Sequence, residues 1–420
     1  MILRRRLVSL LHKQQLLSEA WKRPEAFAAT SYFATDSKKG KRRPTKSDVP
    51  DGLSSNRTVD EKEVALQAAL ANIAAKFGRE TIMRLGDMAG PRQVPVISTG
   101  SIALDTALGV GGLPKGRVVE IYGSEATGKT TLALHVIAEA QKAGGRCVFL
   151  DVEHALDITF AEAIGVRIAD LYVSQPDNAE QALDIADEFI RSCSAAVVVV
   201  DSVAALAPKA ELEGGMGDAH MALQARLMSQ ALRKLTHSLS RSQTILIFIN
   251  QVRHKLGGFG GFGGAPIEVT AGGNALKFYA SVRLHIRKRE VIKRGEETLG
   301  FHVIVKVAKN KVAPPFKTAE FEIEFGKGIS QAGEILDFGV QLGLLSKSGA
   351  WFSYRGENFA NGRDSAKKFL KEHEDVALEL VTAIRQKFLL GPQPPKEENA
   401  EDFDEDDGAL ETDAEEAAKG

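Results

Sequence analysis

The stretch Gly123-Ser124-Glu125-Ala126-Thr127-Gly128-Lys129-Thr130-Thr131 constrains this chain more than any other. It fits the pattern G-x-x-x-x-G-K-[ST], whose glycines let the backbone curl until several N–H groups point inward at phosphate oxygens. Lys129 adds a point charge for the β- and γ-phosphates, and the Thr130 hydroxyl is a ligand for Mg²⁺. The flanks agree with the motif. Residues 117–122 read as a buried strand entering the loop. Residues 131–142 read as a helix leaving it, with its N-terminus toward the phosphates. A chance glycine-rich turn has no reason to carry strand, loop and helix in that order. ATP and Mg²⁺ are the expected cofactors.

The surrounding pattern is α/β. Apolar runs recur at residues 117–122, 146–150, 196–200 and 244–249, separated by helical segments such as 178–192 and 220–239. Val/Ile runs without alternation suit a mainly parallel central sheet covered by helices on both faces. After Thr270 the pattern alternates, at 281–288, 300–308 and 319–325, as strands of hairpins do. Residues 331–390 read as a small α/β module. Upstream, residues 60–77 read as an amphipathic helix with Asp60 as N-cap and Glu63 as its capping-box partner. Leu66, Leu70, Ile73 and Phe77 form the stripe, and Gly78 ends it. Such a helix packs on its own core or docks on another subunit.

The ends differ from the middle. Residues 1–50 carry 12 Lys/Arg against 4 Asp/Glu, and residues 396–420 carry 2 against 12, so both read as tails with separate roles. Residues 1–33 have Arg4, Arg5 and Arg6 early, no acid before Glu19, and Leu3, Leu7, Leu10 and Leu11 on one face. That is the pattern of a transit peptide, with a mitochondrial matrix address favoured over a plastid one. A basic DNA-binding arm is the competing reading. Residues 34–58 read as linker and 391–420 as an acidic, disordered tail. No apolar run approaches membrane-span length, so no membrane association is expected. Two cysteines, Cys147 and Cys193, make neither a disulfide framework nor a zinc site and point to a reducing compartment.

Three further strand ends carry chemistry. Asp201 closes an apolar run 72 residues after Lys129, the place of the acid that holds Mg²⁺. Asp151 and Glu153 follow another run. Parallel neighbours end on the same sheet edge, so Glu153 is placed to orient or activate a water, while Asp151 reads as a structural cap. Gln251 follows the run at 244–249 and is suited to sensing a γ-phosphate by hydrogen bond.

Two loops follow these ends. Residues 213–220 are too glycine-rich and polar for a regular element. Residues 252–273 hold Arg253, Lys255, Leu256, Phe259 and Phe262 among eight glycines. Cations interleaved with apolar and aromatic groups suit single-stranded nucleic acid: charge follows the backbone and flat side chains meet bases. Arg226 and Arg233 are seven apart on a predicted helix, hence on one face.

Taken together, residues 123–131, 151–157, 200–202, Asn250-Gln251 and 272–278 resemble the bacterial-type RecA recombinase family, from about residue 64 to about residue 388. The resemblance implies a RecA-like ATPase core over 94–330, an oligomerisation module over 59–93 and a duplex-DNA module over 331–390. It implies Glu153 as catalytic base, Lys129, Thr130 and Asp201 at the phosphates and Mg²⁺, and Asp157 and Phe160 at adenine. The family has Tyr where Phe160 stands; stacking survives that change, but a hydroxyl contact does not. Gln251 would couple the γ-phosphate to the DNA loop. Lys309 and Lys311 resemble the pair that reaches the neighbouring subunit's ATP, and Phe278 an interface residue. Met221, Arg226, Ser229, Arg233, Arg253, Leu256, Gly272, Gly273 and Asn274 would line the path of single-stranded DNA; the stretch after Gln251 departs from the family, being about four residues longer, and its Phe259 and Phe262 are expected on that path from their composition alone. Lys347 and Arg363 match positions that meet double-stranded DNA. The implied protein is an organelle-targeted, ATP-dependent recombinase working as a helical homo-oligomeric filament. A ring-shaped motor of the same core, or a paralogue that binds without hydrolysing, are the rival readings.

Overall fold

The computed structural model describes residues 59–78, 81, 82, 84, 94–215, 222–255 and 267–390. The expected transit peptide, linker and acidic tail, together with Met221, Leu256, Phe259 and Phe262, lie outside the described residues. Residues 1–90 and 91–420 are separate units. In the first, helix α1 (Val59–Phe77) buries none of its residues. It already includes Val59, so Asp60 lies in its first turn and is not the N-cap expected from sequence. Gly78 ends it, donating its N–H to the Ala74 carbonyl at 3.0 Å.

The second unit is built on a 10-stranded sheet. A short pair, β1 (Val96–Ile97) and β2 (Leu113–Pro114), flanks helix α2 (Ile102–Ala107). Then come β3 (Val118–Gly123), α3 (Lys129–Lys142), β4 (Cys147–Asp151), α4 (Ile158–Ile164), β5 (Leu171–Ser174), α5 (Ala179–Arg191) and β6 (Val197–Asp201). Helices α6 (Lys209–Glu213) and α7 (Leu223–Leu239) precede β7 (Ile245–Lys255) and β8 (Ile267–Thr270). Helix α8 (Ala275–Tyr279) leads into β9 (Val282–Arg294), β10 (Glu297–Asn310), β11 (Thr318–Glu324) and β12 (Gly328–Ile329). The order across the sheet is β12-β11-β10-β9-β3-β7-β6-β4-β5, with β8 paired to β7. Strands β9, β3, β7, β6, β4 and β5 run parallel, and β10 to β12 extend the sheet as antiparallel neighbours.

Burial on both faces explains the unbroken Val runs. Val197 and Val199 enter the core beneath α3, with Leu132, Val136 and Leu113. Val198 and Val200 enter the opposite core, beneath α5 and α7, with Leu183, Ile190, Leu232 and Leu235. Strand β5 escaped the sequence reading because it is an edge strand whose Tyr172 and Val173 stay about half exposed.

The remainder, α9 (Gln331–Gln341), β13 (Ser346–Ser348), β14 (Trp351–Tyr354), β15 (Glu357–Asn361), α10 (Arg363–Glu372) and α11 (Glu374–Leu390), closes over its own core of Leu336, Phe352, Leu370 and Ile384. Buried Glu334 ties it to α2, accepting from Ser101 Oγ at 2.6 Å and from the Ile102 and Ala103 N–H groups at 3.1 Å. Burial pushes that carboxyl up to about 7. Lys367 and Lys371 on α10 pair with Glu324 of β11 at 3.4 and 3.3 Å. Among the described residues, no helix is long and apolar enough to cross a membrane.

Candidate active site

Strand register assembles the site. Gly123 pairs with Gln251, Asp201 with Ile249, and Asp151 with Asp201. The carboxyl ends of β3, β7, β6 and β4 therefore lie in one row along one sheet edge. Within the loop, a Cβ on Gly123 would stand 2.2 Å from the Ile286 carbonyl oxygen. Gly128 has φ +88°, and a Cβ there would stand 2.5 Å from Ile323 Cδ1. Gly123 is thus required by its close approach to backbone, and Gly128 by its left-handed conformation. Helix α3 starts at Lys129, so its first N–H groups face the loop.

Lys129 Nζ donates to the Ser124 carbonyl at 2.6 Å, and Thr127 Oγ1 donates to the same oxygen at 2.9 Å. Burial holds the Lys129 ammonium below its ordinary range, against the pull of Asp201, Glu153 and Glu125. Thr130 Oγ1 donates to Asp201 Oδ2 at 2.8 Å. Burial pushes the Asp201 carboxyl up to about 6; Glu153 and Asp151 add to the rise, while the Thr130 hydrogen bond and Lys129 oppose it. A hydroxyl and a carboxylate side by side are hard oxygen donors, the chemistry that Mg²⁺ takes. The residues present therefore fit the expected ion.

Glu153 stands exposed just beyond β4. Its Oε1 accepts from Ser202 Oγ and from Gln251 Nε2, the latter at 3.2 Å. Three strand ends thus converge on one carboxylate. Asp151 is buried and shapes the turn that carries Glu153, accepting from the Ala155 N–H at 3.0 Å, the Leu156 N–H at 3.3 Å and Gln175 Nε2 at 3.0 Å. Ser202 and Gln175 were missed in the sequence; adjacency to Asp201 is the one signal that pointed to Ser202. Asp157 caps α4 by accepting from the Phe160 N–H at 3.0 Å, and Phe160 packs half-buried against the α3-side core. The pair therefore sits at the start of one helix.

Helix α7 buries Met228, Leu232, Leu235 and Leu239 and leaves Arg226, Ser229 and Arg233 exposed. Ser229 Oγ is bonded back to the Ala225 carbonyl at 2.8 Å. The residues after β8 approach this helix and the turn that follows β6: a Cβ on Gly273 would stand 2.8 Å from Ala225 Cβ of α7, and one on Gly272 2.7 Å from Val203 Cγ1, just beyond β6. Asn274 and Arg253 are exposed.

Lys309 and Lys311 lie elsewhere. Lys309 pairs with Arg283, and Asn310 with Val282, which in turn pairs with Val119 near the start of β3. Four residues of strand, roughly 13 Å, separate that level from Gly123. Both ammonium groups donate to the Phe278 carbonyl, at 3.1 and 3.2 Å, and Lys309 also to that of Lys277. Phe278 itself is 72% exposed. Lys347 is exposed on β13, its ammonium 5.6 Å from the centre of the Phe352 ring. Arg363 is engaged within the chain, by both guanidinium ends on Asp337 and by a 3.1 Å bond to Glu322 Oε1.

Residues 64–330 match the RecA N-terminal domain, and residues 333–389 match the RecA C-terminal domain. The chain is 61% identical over 344 residues to "DNA repair protein recA homolog 3, mitochondrial" of Arabidopsis thaliana, covering 82% of this chain and 80% of that protein. It is 61% identical over 330 residues to Protein RecA of Thioalkalivibrio sulfidiphilus, covering 79% of this chain and 95% of that one. To Protein RecA of Methylococcus capsulatus it is 59% identical over 334 residues, covering 80% and 95%. With both domains matched in order and the phosphate loop, Glu153 and Gln251 on one sheet edge, this chain belongs to the RecA family.

Proposed function

We propose that the chain is an ATP-dependent homologous recombinase of an organelle, most directly of the mitochondrion, acting in DNA repair and recombination. The observation that carries this reading is Gln251. It bonds the carboxylate of Glu153 at the ATP edge and stands on β7, four residues before that strand ends at Lys255 and the sequence enters the glycine-rich stretch suited to single-stranded DNA.

When bound, ATP and its Mg²⁺ supply a phosphoanhydride to be cleaved and a charge that offsets the one developing on it. Thr130 and Asp201 would hold the ion, and the loop at 123–131 would hold the phosphates. Glu153 orients the attacking water and takes its proton at Oε1 or Oε2. Ser202 and Gln251 fix the carboxylate, so a DNA-induced shift of Gln251 changes the base itself. Asp157 and Phe160 would meet adenine. Lys309 and Lys311, distant from their own chain's phosphate loop, are suited to the ATP of a neighbouring subunit in a filament. The unburied Val64, Leu66 and Phe77 of α1 give that neighbour an apolar surface. Single-stranded DNA would run over Met221, Arg226, Ser229, Arg233 and the second loop, and duplex DNA would meet the module at 331–390, Lys347 foremost.

A single-stranded-DNA-stimulated ATPase assay tests the reading. The parent should hydrolyse ATP faster with DNA, and Glu153→Gln should lose about 10² or more in rate while still binding ATP and DNA. Full hydrolysis by that variant would remove Glu153 from the mechanism. Hydrolysis indifferent to DNA would favour a different member of the same fold class.

A further inference from the structure

Glu120 breaks the pattern of its strand. Its neighbours on β3, Val119 and Ile121, are apolar and fully buried, and so is Glu120. A carboxylate there is costly unless paired and hydrogen-bonded. Its Oε2 accepts from Arg283 Nε at 2.6 Å, and its Oε1 from Asn250 Nδ2 at 2.9 Å. The Arg283 guanidinium is fixed in turn over the Tyr122 ring, 4.4 Å from its centre. That ring stacks on His285 with centroids 4.8 Å apart.

Asn250 is fully buried too, and its side chain serves both ends of the second loop. Its amide nitrogen also donates to the Ala271 carbonyl at 3.0 Å, where the loop returns. Its Oδ1 accepts the N–H of Gln251 at 2.9 Å, where the loop departs. The segment after Ala271 is held again at its far end, where Lys309 and Lys311 take the Phe278 carbonyl. One side chain therefore joins loop departure, loop return and the strand that carries the phosphate loop. Glu120 and Arg283 hold that side chain at a single orientation.

We propose that Asn250, braced by Glu120 and Arg283, is the positioning residue through which the second loop and the nucleotide edge sense one another. The proposal rests on the reading above that the edge takes ATP and the loop takes single-stranded DNA. A displacement of Ala271 by bound DNA draws on the Asn250 amide. The Gln251 backbone follows through Oδ1, and its side chain moves relative to Glu153. Coupling of this kind is reciprocal: nucleotide must raise DNA affinity by the factor by which DNA raises nucleotide affinity.

That factor is the measurement. Equilibrium binding of a fluorescent oligo-dT strand to the full chain, with and without a non-hydrolysable ATP analogue, gives it for the parent, Asn250→Ser and Arg283→Lys. Analogue binding without DNA serves as the control, and thermal melting checks folding. The parent should show a factor within the usual range of about 5–150. In Asn250→Ser it should fall at least about fivefold, with DNA-free analogue affinity within about twofold of the parent and a smaller fall in Arg283→Lys. A purely structural role would lower the melting temperature and leave the factor alone. Folded variants that keep the parent's factor overturn the proposal. Should Asn250→Ser not fold, Arg283→Lys and amide exchange in the parent decide. Analogue binding must then slow exchange at Gln251 and Gly272 together, and independent responses overturn the proposal. A parent without any coupling would instead overturn the reading of the site, and this proposal with it.

Discussion

At the scale of single residues, the proposed hydrolysis depends on how firmly Glu153 is held. Its carboxylate has no helix or strand of its own beneath it and relies on Ser202 and Gln251. Ser202→Ala should therefore lower the DNA-stimulated turnover by about tenfold, the worth of one hydrogen bond to a charged group, with ATP affinity unchanged. Steady-state kinetics separate the two: a rise in KM with kcat intact would place Ser202 in nucleotide binding instead. The sequence made Lys129, Thr130 and Asp201 legible because phosphate and Mg²⁺ chemistry admits few residue types at fixed spacing. It left Ser202, Gln175 and Glu120 silent. Their partners lie 49, 24 and 130 residues away, and only strand register brings them together. Arg363 is the converse case. Its charge was visible, but its ion pairs with Asp337 and Glu322 were not.

At the scale of elements, buried strands were legible and exposed ones were not. Runs of Val and Ile need two covered faces, whereas β5, with one side open, has no such run. Helix α3 shows how two elements are locked. His135 on α3 accepts the Ile329 N–H of β12 at 2.7 Å through Nε2, so the ring is held neutral. Burial, with Lys142 adding, lowers its pKa from 6.5 to about 4. The folded value lies below the unfolded one, so this contribution is full above about pH 6.5 and is lost as pH falls toward 4. It amounts to roughly 3 kcal/mol over that window. Denaturant melts from pH 7 to 4.5 should show the parent losing more stability than His135→Gln, and equal losses would contradict the assignment. The second loop gives the other prediction at this scale. Its glycines cost backbone entropy when ordered, so contacts must offset that cost on DNA. Phe259→Ala with Phe262→Ala should weaken single-strand binding by roughly 1–3 kcal/mol per stacked base and spare DNA-free ATP binding. An unchanged binding isotherm would leave Leu256 as the loop's one apolar contact with DNA.

At the scale of the whole molecule, the account requires more than one copy of the chain. Lys309 and Lys311 stand at the opposite end of β3 from their own phosphate loop, so the proposed action on ATP would have to cross a subunit boundary. Mixing Lys311→Ala subunits with Glu153→Gln subunits should restore part of the hydrolysis that each variant lacks alone, since some junctions then hold both intact groups. Mixed filaments seen by microscopy without any recovery would confine the lysines to their own chain. The central claim is recombination itself, and one reaction tests it directly. A circular single strand and a homologous linear duplex are incubated with the full chain, Mg²⁺ and ATP, and joint molecules are followed by gel. The account predicts joint molecules with ATP and a homologous duplex, and none with a heterologous duplex or without nucleotide. A chain that hydrolyses ATP in response to DNA yet yields no joint molecules would contradict it, and would make this fold a DNA-driven motor rather than a recombinase.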